Sequence, residues 1–315
     1  MTFEIKILGC NSASFAFGRH HTSQLLNSNQ NLFLIDCGEA TQVQMLRYGV
    51  KANRIHHIFI SHLHGDHYLG LMGLIFTYHL QNRTEGLHIY GPRGLDEIIT
   101  LQLKHSESKL SYELHFHQIE EDGQLLYENA DIFIHALAMN HRIACFGFVF
   151  QEKLRKPRWF RGILPVGPGE EDFSGILNPA EGDGHGTETS DILLPPREPR
   201  KYVYFADTRV FTQKMESAEN ANLLYHETTF LSDMKERAIS TFHSTAEEAA
   251  RFAADHGVKE LLIGHYSSRY YDVHHFLMEA RNFFPETKLA MEGQLYEIKP
   301  VHSRKQNIPH GESIT

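Results

Sequence analysis

The chain has 315 residues, 41% hydrophobic and 22% charged, a balance ordinary for a soluble enzyme able to bury a large core. No apolar run approaches the roughly 18 residues of a membrane span, and Met1-Thr2-Phe3-Glu4-Ile5 lacks the basic and apolar regions of a leader, so a cytoplasmic protein is expected. The formal net charge of -9 counts against a chain coated in nucleic acid, although a local basic patch can still bind it.

In chain order, residues 4–8 alternate and end at Gly9, and residues 31–35 form a short apolar run ending at Asp36-Cys37-Gly38. Both read as strands. Residues 40–48, with Val43, Met45 and Leu46 as the apolar set, suit a helix stopped by Gly49. Ile58-Phe59-Ile60 then closes on Ser61-His62-Leu63-His64-Gly65-Asp66-His67, which puts three imidazoles and one carboxylate into six residues. On an extended segment His62 and His64 point the same way, while Asp66 and His67, on the following turn, aim at a second point. One segment can therefore feed two metal ions, with zinc favoured by the nitrogen and oxygen ligands and other divalent first-row metals as alternatives. The competing reading is a polar loop in a chain that carries 23 histidines. Residues 69–80 follow as a buried helix, whose His79 receives no function.

Short apolar strands run into residues of ligand type three more times. Ile132-Phe133-Ile134 leads to His141, Tyr202-Val203-Tyr204-Phe205 to Asp207, and Leu261-Leu262-Ile263-Gly264 to His265. Strand ends converging on one edge would hold such a site. Helical segments at 245–256 and 273–283 make the chain α/β. Asp207 has a second reading as a helix N-cap before Val210, compatible with ligation. Ser244, with Glu247 three residues on, reads as the cap of the helix starting near Thr245. Cys10, Cys37 and Cys145 each adjoin an apolar segment and read as buried free thiols.

The motifs Asp36-Cys37-Gly38-Glu39-Ala40-Thr41-Gln42, Ser61 to His67, Asn140-His141-Arg142 and Ala206-Asp207-Thr208-Arg209 are followed by His226-Glu227-Thr228-Thr229-Phe230, His243-Ser244-Thr245 and Gly264-His265-Tyr266-Ser267-Ser268-Arg269-Tyr270. Across nearly its whole length the chain thereby resembles the ribonuclease Z family of tRNA 3′-processing endonucleases, which have the metallo-β-lactamase fold. The resemblance implies an αββα sandwich of two mixed sheets flanked by helices, with two Zn2+ ions per chain. It puts His62, His64 and His141 on one ion, Asp66, His67 and His265 on the other, and Asp207 between them. Asp66 is counted with the catalytic residues, His243 is the candidate proton donor to the leaving 3′-oxygen, and Glu227 is its orienting partner. The family usually has Ala where Thr228 stands.

About fifty residues of irregular composition separate the strand at 145–150 from that at 202–205, too many for an ordinary connection. They begin Lys153-Leu154-Arg155-Lys156-Pro157-Arg158-Trp159-Phe160-Arg161, five basic residues in nine with two aromatics interleaved. The stretch Gly167-Pro168 resembles the Gly-Pro motif of the flexible arm with which the family clamps tRNA. Lys153, Arg155, Lys156, Arg158, Arg161, Gly167 and Pro168 are therefore candidate substrate-binding residues, although Glu170-Glu171-Asp172 follow at once and would repel phosphate. The domain reading is a catalytic domain at 1–300 with the arm inserted at about 151–200, and a polar tail at 301–315. The resemblance implies precursor tRNA as substrate, a homodimer and no membrane partner. The rival reading is another metallo-β-lactamase-fold hydrolase acting on a small phosphodiester, ester or thioester.

Overall fold

The computed structural model describes residues 2–154, 158–162, 190–194 and 198–300. The first sheet is built from β1 (Phe3–Gly9), β2 (Ser23–Ser28), β3 (Asn31–Ile35), β4 (Ile55–Phe59), β5 (Leu87–Pro92) and β6 (Leu114–Ile119). The second has β7 (Leu125–Glu128), β8 (Ile132–Ala138) and β9 (Phe146–Glu152). Strands β10 (Arg158–Gly162) and β11 (Ser190–Leu194) form an antiparallel pair of their own. The second sheet then resumes with β12 (Lys201–Phe205), β13 (Leu223–Glu227), β14 (Leu261–Gly264) and β15 (Thr287–Leu289), while β16 (Leu295–Glu297) returns to the first. The sheet orders are β16-β1-β2-β3-β4-β5-β6 and β15-β14-β13-β12-β9-β8-β7. Each is antiparallel at one end and parallel at the other, so both are mixed.

The parallel strands need crossovers, which the helices supply. They are α1 (Thr41–Arg47), α2 (Gly65–Tyr68), α3 (Gly70–Leu80), α4 (Leu95–His105), α5 (Lys235–Thr241), α6 (Ala246–Asp255) and α7 (His274–Arg281). Leu34, Ile58, Met45, Leu71, Leu74, Ile75, Tyr78 and Ile99 form one buried cluster between the first sheet and α1, α3 and α4. Facing strands of the two sheets interlock through aromatics, with Phe59 packed 5.5 Å from Phe148 and 5.7 Å from Phe150. Leu224 and Ile263 share their cluster with Ala250, Phe252 and Phe276 from α6 and α7. The layers are helix, sheet, sheet, helix, the αββα sandwich that the resemblance implies.

Polar bonds also cross between the sheets. Tyr202 and Tyr204 on β12 each donate a hydroxyl at 2.6 Å, to Gln24 on β2 and to Asp36 at the end of β3. The thiols of Cys10, Cys37 and Cys145 are buried and free. In α1 the buried face is Thr41, Gln44 and Met45, whereas Val43 and Leu46 face outward. Spacing from Val43 suggests the opposite face; the Gln44 amide instead turns inward to the Leu8 carbonyl at 2.8 Å. No helix follows Asp207: residues 206–222 are irregular chain with bends and one turn at 216–220, so its capping role is excluded.

The chain divides into two compact units, Met1–Glu152 with Arg200–Thr315, and Lys153–Pro199. Where the chain leaves and re-enters the first unit, the Arg200 guanidinium donates in two-pronged fashion to Glu152 at 2.8 and 2.7 Å. Of the candidate arm residues, Arg155, Lys156, Gly167 and Pro168 lie outside the described residues, as does the tail at 301–315. Arg158 and Arg161 fall on the β10 backbone, a strand the composition of that stretch does not announce.

Gly70 opens α3 and donates its N–H to the Cys37 carbonyl at 2.9 Å. A Cβ there would stand 2.0 Å from the Gly38 carbonyl oxygen, a backbone atom with no room to yield. Gly70→Ala is expected to lower folding stability by about 1–3 kcal/mol, the usual range for overpacking. A urea titration checks this through a lowered midpoint at unchanged slope.

Candidate metal centre

Strand β4 ends at Phe59, and the next residues run along the open edge of the sandwich. His62 stays extended and fully buried, His64 is half-buried, and α2 begins at Gly65. Asp66 and His67 therefore lie on the first turn of a short helix rather than on a free turn. That still separates them from the His62/His64 pair.

Two ligand groups result. His62, His64, His141 and Asp207 make one; Asp66, His67 and His265 make the other. In the first, His62 Nε2 is 3.0 Å and His141 Nε2 3.2 Å from His64 Nδ1. In the second, His265 Nε2 lies 3.3 Å from His67 Nε2 and 3.3 Å from Asp66 Oδ2. Asp207 divides its carboxylate between them. Oδ2 is 3.6 Å from His62 Nε2, whereas Oδ1 is 3.1 Å from His265 Nε2 and 3.3 Å from His67 Nε2. Oδ1 is also buried and accepts no hydrogen bond among the described residues.

Imidazole nitrogens packed this closely around a buried, undonated carboxylate oxygen fit divalent cations. Burial pushes His62, His64 and His141 below the usual imidazole range, favouring the neutral form that ligates. At His67 burial acts the same way, but the carboxylates of Asp207, Asp66 and Asp36 outweigh it and raise the ring well above that range. The same negative field attracts a cation.

The far nitrogen of most of these rings is pinned. Ser61 Oγ lies 3.0 Å from His62 Nδ1, and the Phe242 carbonyl oxygen 3.1 Å from His141 Nδ1. Thr229 Oγ1 is 2.9 Å from His265 Nδ1, and Asp36 Oδ2 is 2.8 Å from His67 Nδ1. Such partners set which nitrogen faces a metal. Asp36, His265 and Phe242 reach these positions with φ of 55°, 63° and 61°, a left-handed backbone that non-glycine residues seldom adopt. Asp36 and Thr229 sit inside motifs that the sequence displays, but sequence reasoning gives neither a role. Nothing in the order of residues shows that β3 ends under the metal segment.

Glu227 is fully buried and accepts five hydrogen bonds. Its Oε1 takes them from His243 Nδ1 at 2.9 Å, Ser244 N at 3.0 Å and Thr208 N at 3.2 Å; its Oε2 takes them from Thr229 N and Oγ1, each at 2.8 Å. Burial alone would lower the His243 imidazole, but the Glu227 and Asp207 carboxylates push it up to about 9. Asp207, His243 and His265 also lie within ligand distance of one another. His243 meets Asp207 only at 4.0 Å, and through the nitrogen already bonded to Glu227.

The cap of α6 is Thr245, one residue later than the sequence pattern suggests, in a reciprocal capping box with Glu248. This frees Ser244 to donate to the Thr208 carbonyl at 2.7 Å, tying the His243 segment to the residue after Asp207. Thr228 spends its additional hydroxyl on the Gly264 carbonyl, 3.1 Å away.

A family model described as "Anti-Pycsar protein Apyc1" matches residues 3–155. Over 299 residues the chain is 40% identical to ribonuclease Z of Bacteroides fragilis strain YCH46, covering 92% of this chain and 97% of that one. The chain belongs to the ribonuclease Z family. Ribonuclease Z of Cytophaga hutchinsonii is likewise 40% identical over 317 residues, 98% of this chain and all of that protein. Among solved structures, the short form of human tRNase Z superposes with a TM-score of 0.69 at 26% identity, covering 94% of this chain and 99% of that one. YhfI of Bacillus subtilis, a metallo-β-lactamase fold protein, shares the fold with a TM-score of 0.67 at 22% identity, over 94% and 100%. As a ribonuclease Z family member the chain is an enzyme, and its His/Asp groups have the donor set and closeness that suit a metal-binding site.

Asp36 accepts from Ser61 N at 2.7 Å, Ser61 Oγ at 3.0 Å and Tyr204 OH at 2.6 Å besides contacting His67. Asp36→Ala leaves those buried donors unsatisfied, with an expected stability loss of about 3–5 kcal/mol. Metal affinity should fall about 10–100-fold. Chemical denaturation and metal titration with elemental analysis measure the two effects separately.

Proposed function

We propose that this ribonuclease Z family enzyme is a zinc-dependent endoribonuclease that removes the 3′ trailer of precursor tRNA, leaving a 3′-hydroxyl on the tRNA and a 5′-phosphate on the trailer. The observation that carries this reading is the placing of Asp207, one oxygen toward each ligand group, beside a separate imidazole–carboxylate pair. His62, His64 and His141 would hold one zinc ion and Asp66, His67 and His265 the other, with Asp207 shared. Bound there, the pair would supply Lewis acidity toward a phosphodiester and acidify the attacking water.

The remaining work falls to side chains of the chain itself. Glu227 holds Nδ1 of His243, so Nε2 is the nitrogen left for substrate. Held by the Glu227 carboxylate, which pushes its pKa up against the effect of burial, His243 is placed to donate a proton to the leaving 3′-oxygen. Glu227 fixes tautomer and orientation. Asp66 serves the reaction as a ligand oriented by the Ala13 N–H, which donates to its Oδ2 at 2.7 Å.

Residues 1–300 act in this reading as one catalytic domain, carrying at about 151–200 an arm that grips tRNA away from the scissile bond through Lys153, Arg155, Lys156, Arg158, Arg161, Gly167 and Pro168. The family points to a homodimer working in the cytoplasm. A second reading is another metallo-β-lactamase-fold hydrolase acting on a small phosphodiester, ester or thioester, and the family model of a different description matches residues 3–155. That match stops short of Asp207, Glu227, His243 and His265, whereas the ribonuclease Z relatives align over nearly the whole chain.

Incubation with a 3′-extended tRNA precursor decides between them. One cut at the trailer junction with the stated end groups supports the reading; an upstream cyclic phosphate, or turnover of small diesters alone, overturns it. His243→Ala should lower kcat on precursor tRNA by about 10²-fold or more while metal content and tRNA affinity stay near wild type. Steady-state kinetics, elemental analysis and a binding titration read the three quantities. Replacing residues 153–199 by a short Gly/Ser linker should largely preserve hydrolysis of a small activated diester and weaken precursor processing. The salt dependence of tRNA binding should flatten by roughly one unit of slope for each phosphate the arm no longer neutralises.

A further inference from the structure

Histidines recur on one face of the first sheet, within its strands and short of the ends that lead to the ligand groups. His57 on β4 stands opposite His88 on β5, and His88 opposite His115 on β6. Side chains alternate along a strand, so Tyr90 and His117 project from the same face as His88 and His115. The rings form a row of near-parallel planes. His57 is 5.0 Å from His88 at 20°, His115 is 4.7 Å from His88 at 24°, and His117 is 5.2 Å from His88 at 21°. Tyr90 stacks 4.5 Å from His117, and Tyr127 of β7 covers the His57 end of the row at 4.4 Å. None of these histidines belongs to the ligand groups described above.

The other end of the row is open to solvent. β6 is the last strand of its sheet, His117 is exposed, His88 is half-buried and the His115 side chain is 41% exposed. A cavity of about 370 Å³ opens at His115, lined also by Gly86 and Glu113, and the Glu113 carboxylate lies 3.7 Å from His115 Nε2. Within the row, His88 Nδ1 and His117 Nε2 face each other at 2.9 Å. Burial, and after it the neighbouring imidazoles, hold His88 and His117 below the usual imidazole range, and the same causes push His57 down to about 3. These three rings are therefore neutral at physiological pH, the form that ligates metal.

We propose that His88 and His117 form a further metal site, a two-histidine clip for a divalent transition ion of tetragonal preference, Cu2+ or Ni2+, that joins β5 to the edge strand β6. Two nitrogens about 2.0–2.1 Å from one ion stand roughly 2.9 Å apart at a right angle and roughly 3.3 Å apart at a tetrahedral one. The separation of 2.9 Å therefore suits a tetragonal ion better than zinc. Without metal, one N–H···N bond joins the two rings. When the ion enters, the donating ring carries its proton on its other nitrogen instead, so both facing lone pairs ligate and no net proton is released. His57 and His115, stacked on either side of His88, hold its plane, and the open edge leaves the remaining positions to water. The site goes beyond the RNA-cleaving reading and does not depend on it.

The test titrates the full chain, first saturated with zinc, with Cu2+, beside His88→Gln, His117→Gln and, as an exposed histidine elsewhere, His105→Gln. Elemental analysis counts the copper taken up beyond any exchanged for zinc. A single further ion per chain is expected for wild type and for His105→Gln. His88→Gln and His117→Gln should each weaken that binding about 10-fold or more, since loss of a ligand costs at least what loss of an outer partner does. The electron paramagnetic resonance spectrum of the added copper should show two imidazole nitrogens. His117 lies at the surface, so His117→Gln should keep the wild-type Tm without copper, and copper should raise Tm in wild type more than in this variant. Copper uptake no greater than the zinc lost, wild-type affinity in His117→Gln, or a spectrum with a single imidazole overturns the proposal and leaves the pair a hydrogen bond only.

Discussion

The Asp36 carboxylate joins three parts of the molecule that sequence keeps far apart. It ends β3, accepts the N–H and hydroxyl of Ser61 at the start of the metal segment, meets His67 Nδ1, and receives the Tyr204 hydroxyl from the facing sheet. An unpaired carboxylate buried this deeply would be costly, so its partners must be in place together. The spacing of the sheets, the path of residues 61–67 and the orientation of His67 are thus one constraint. Gly70 reinforces it by letting α3 close directly on the backbone of Cys37 and Gly38.

Glu227 plays the corresponding part at the other end of the site. Five donors from three segments converge on it, and the backbone amides of Thr208 and Ser244 place the Asp207 and His243 segments relative to one another. Through Thr229, which contacts His243 Nδ1 at 3.1 Å and His265 Nδ1 at 2.9 Å, the same network reaches the second ligand group. The candidate proton donor and the candidate metal ligands are therefore held by one polar lattice, the kind of support that keeps a reacting geometry within tolerance.

The candidate metal ligands come from the ends of β4, β12 and β14 and from the segment between β8 and β9. Edge placement gives rigid strands the task of aiming side chains while leaving the approach open. The antiparallel pair β10 and β11 lies inside the segment between β9 and β12, where the chain leaves Glu152 and returns at Arg200. Insertion between neighbouring strands of one sheet leaves their pairing intact, with Gln151 opposite Lys201. The core need not change to accommodate what is inserted there.

Local order carried much of this protein. The strands at 4–8, 31–35 and 202–205, the helix at 69–80 and the ligand-type residues after four strands were visible because burial period and ligand chemistry are written in neighbouring residues. The whole set of motifs, with those around Glu227 and His243, marked the family. What only the folded chain decided were relations between distant groups: that α1 buries Gln44 and exposes Val43 and Leu46, that Thr245 rather than Ser244 caps α6, and that irregular chain rather than a helix follows Asp207. Asp36 and Thr229 belong to the same class, since their importance lies in which donors reach them. A hydrogen bond across 168 positions, such as Tyr204 to Asp36, leaves no periodic trace in either segment, so only packing the two sheets together reveals it.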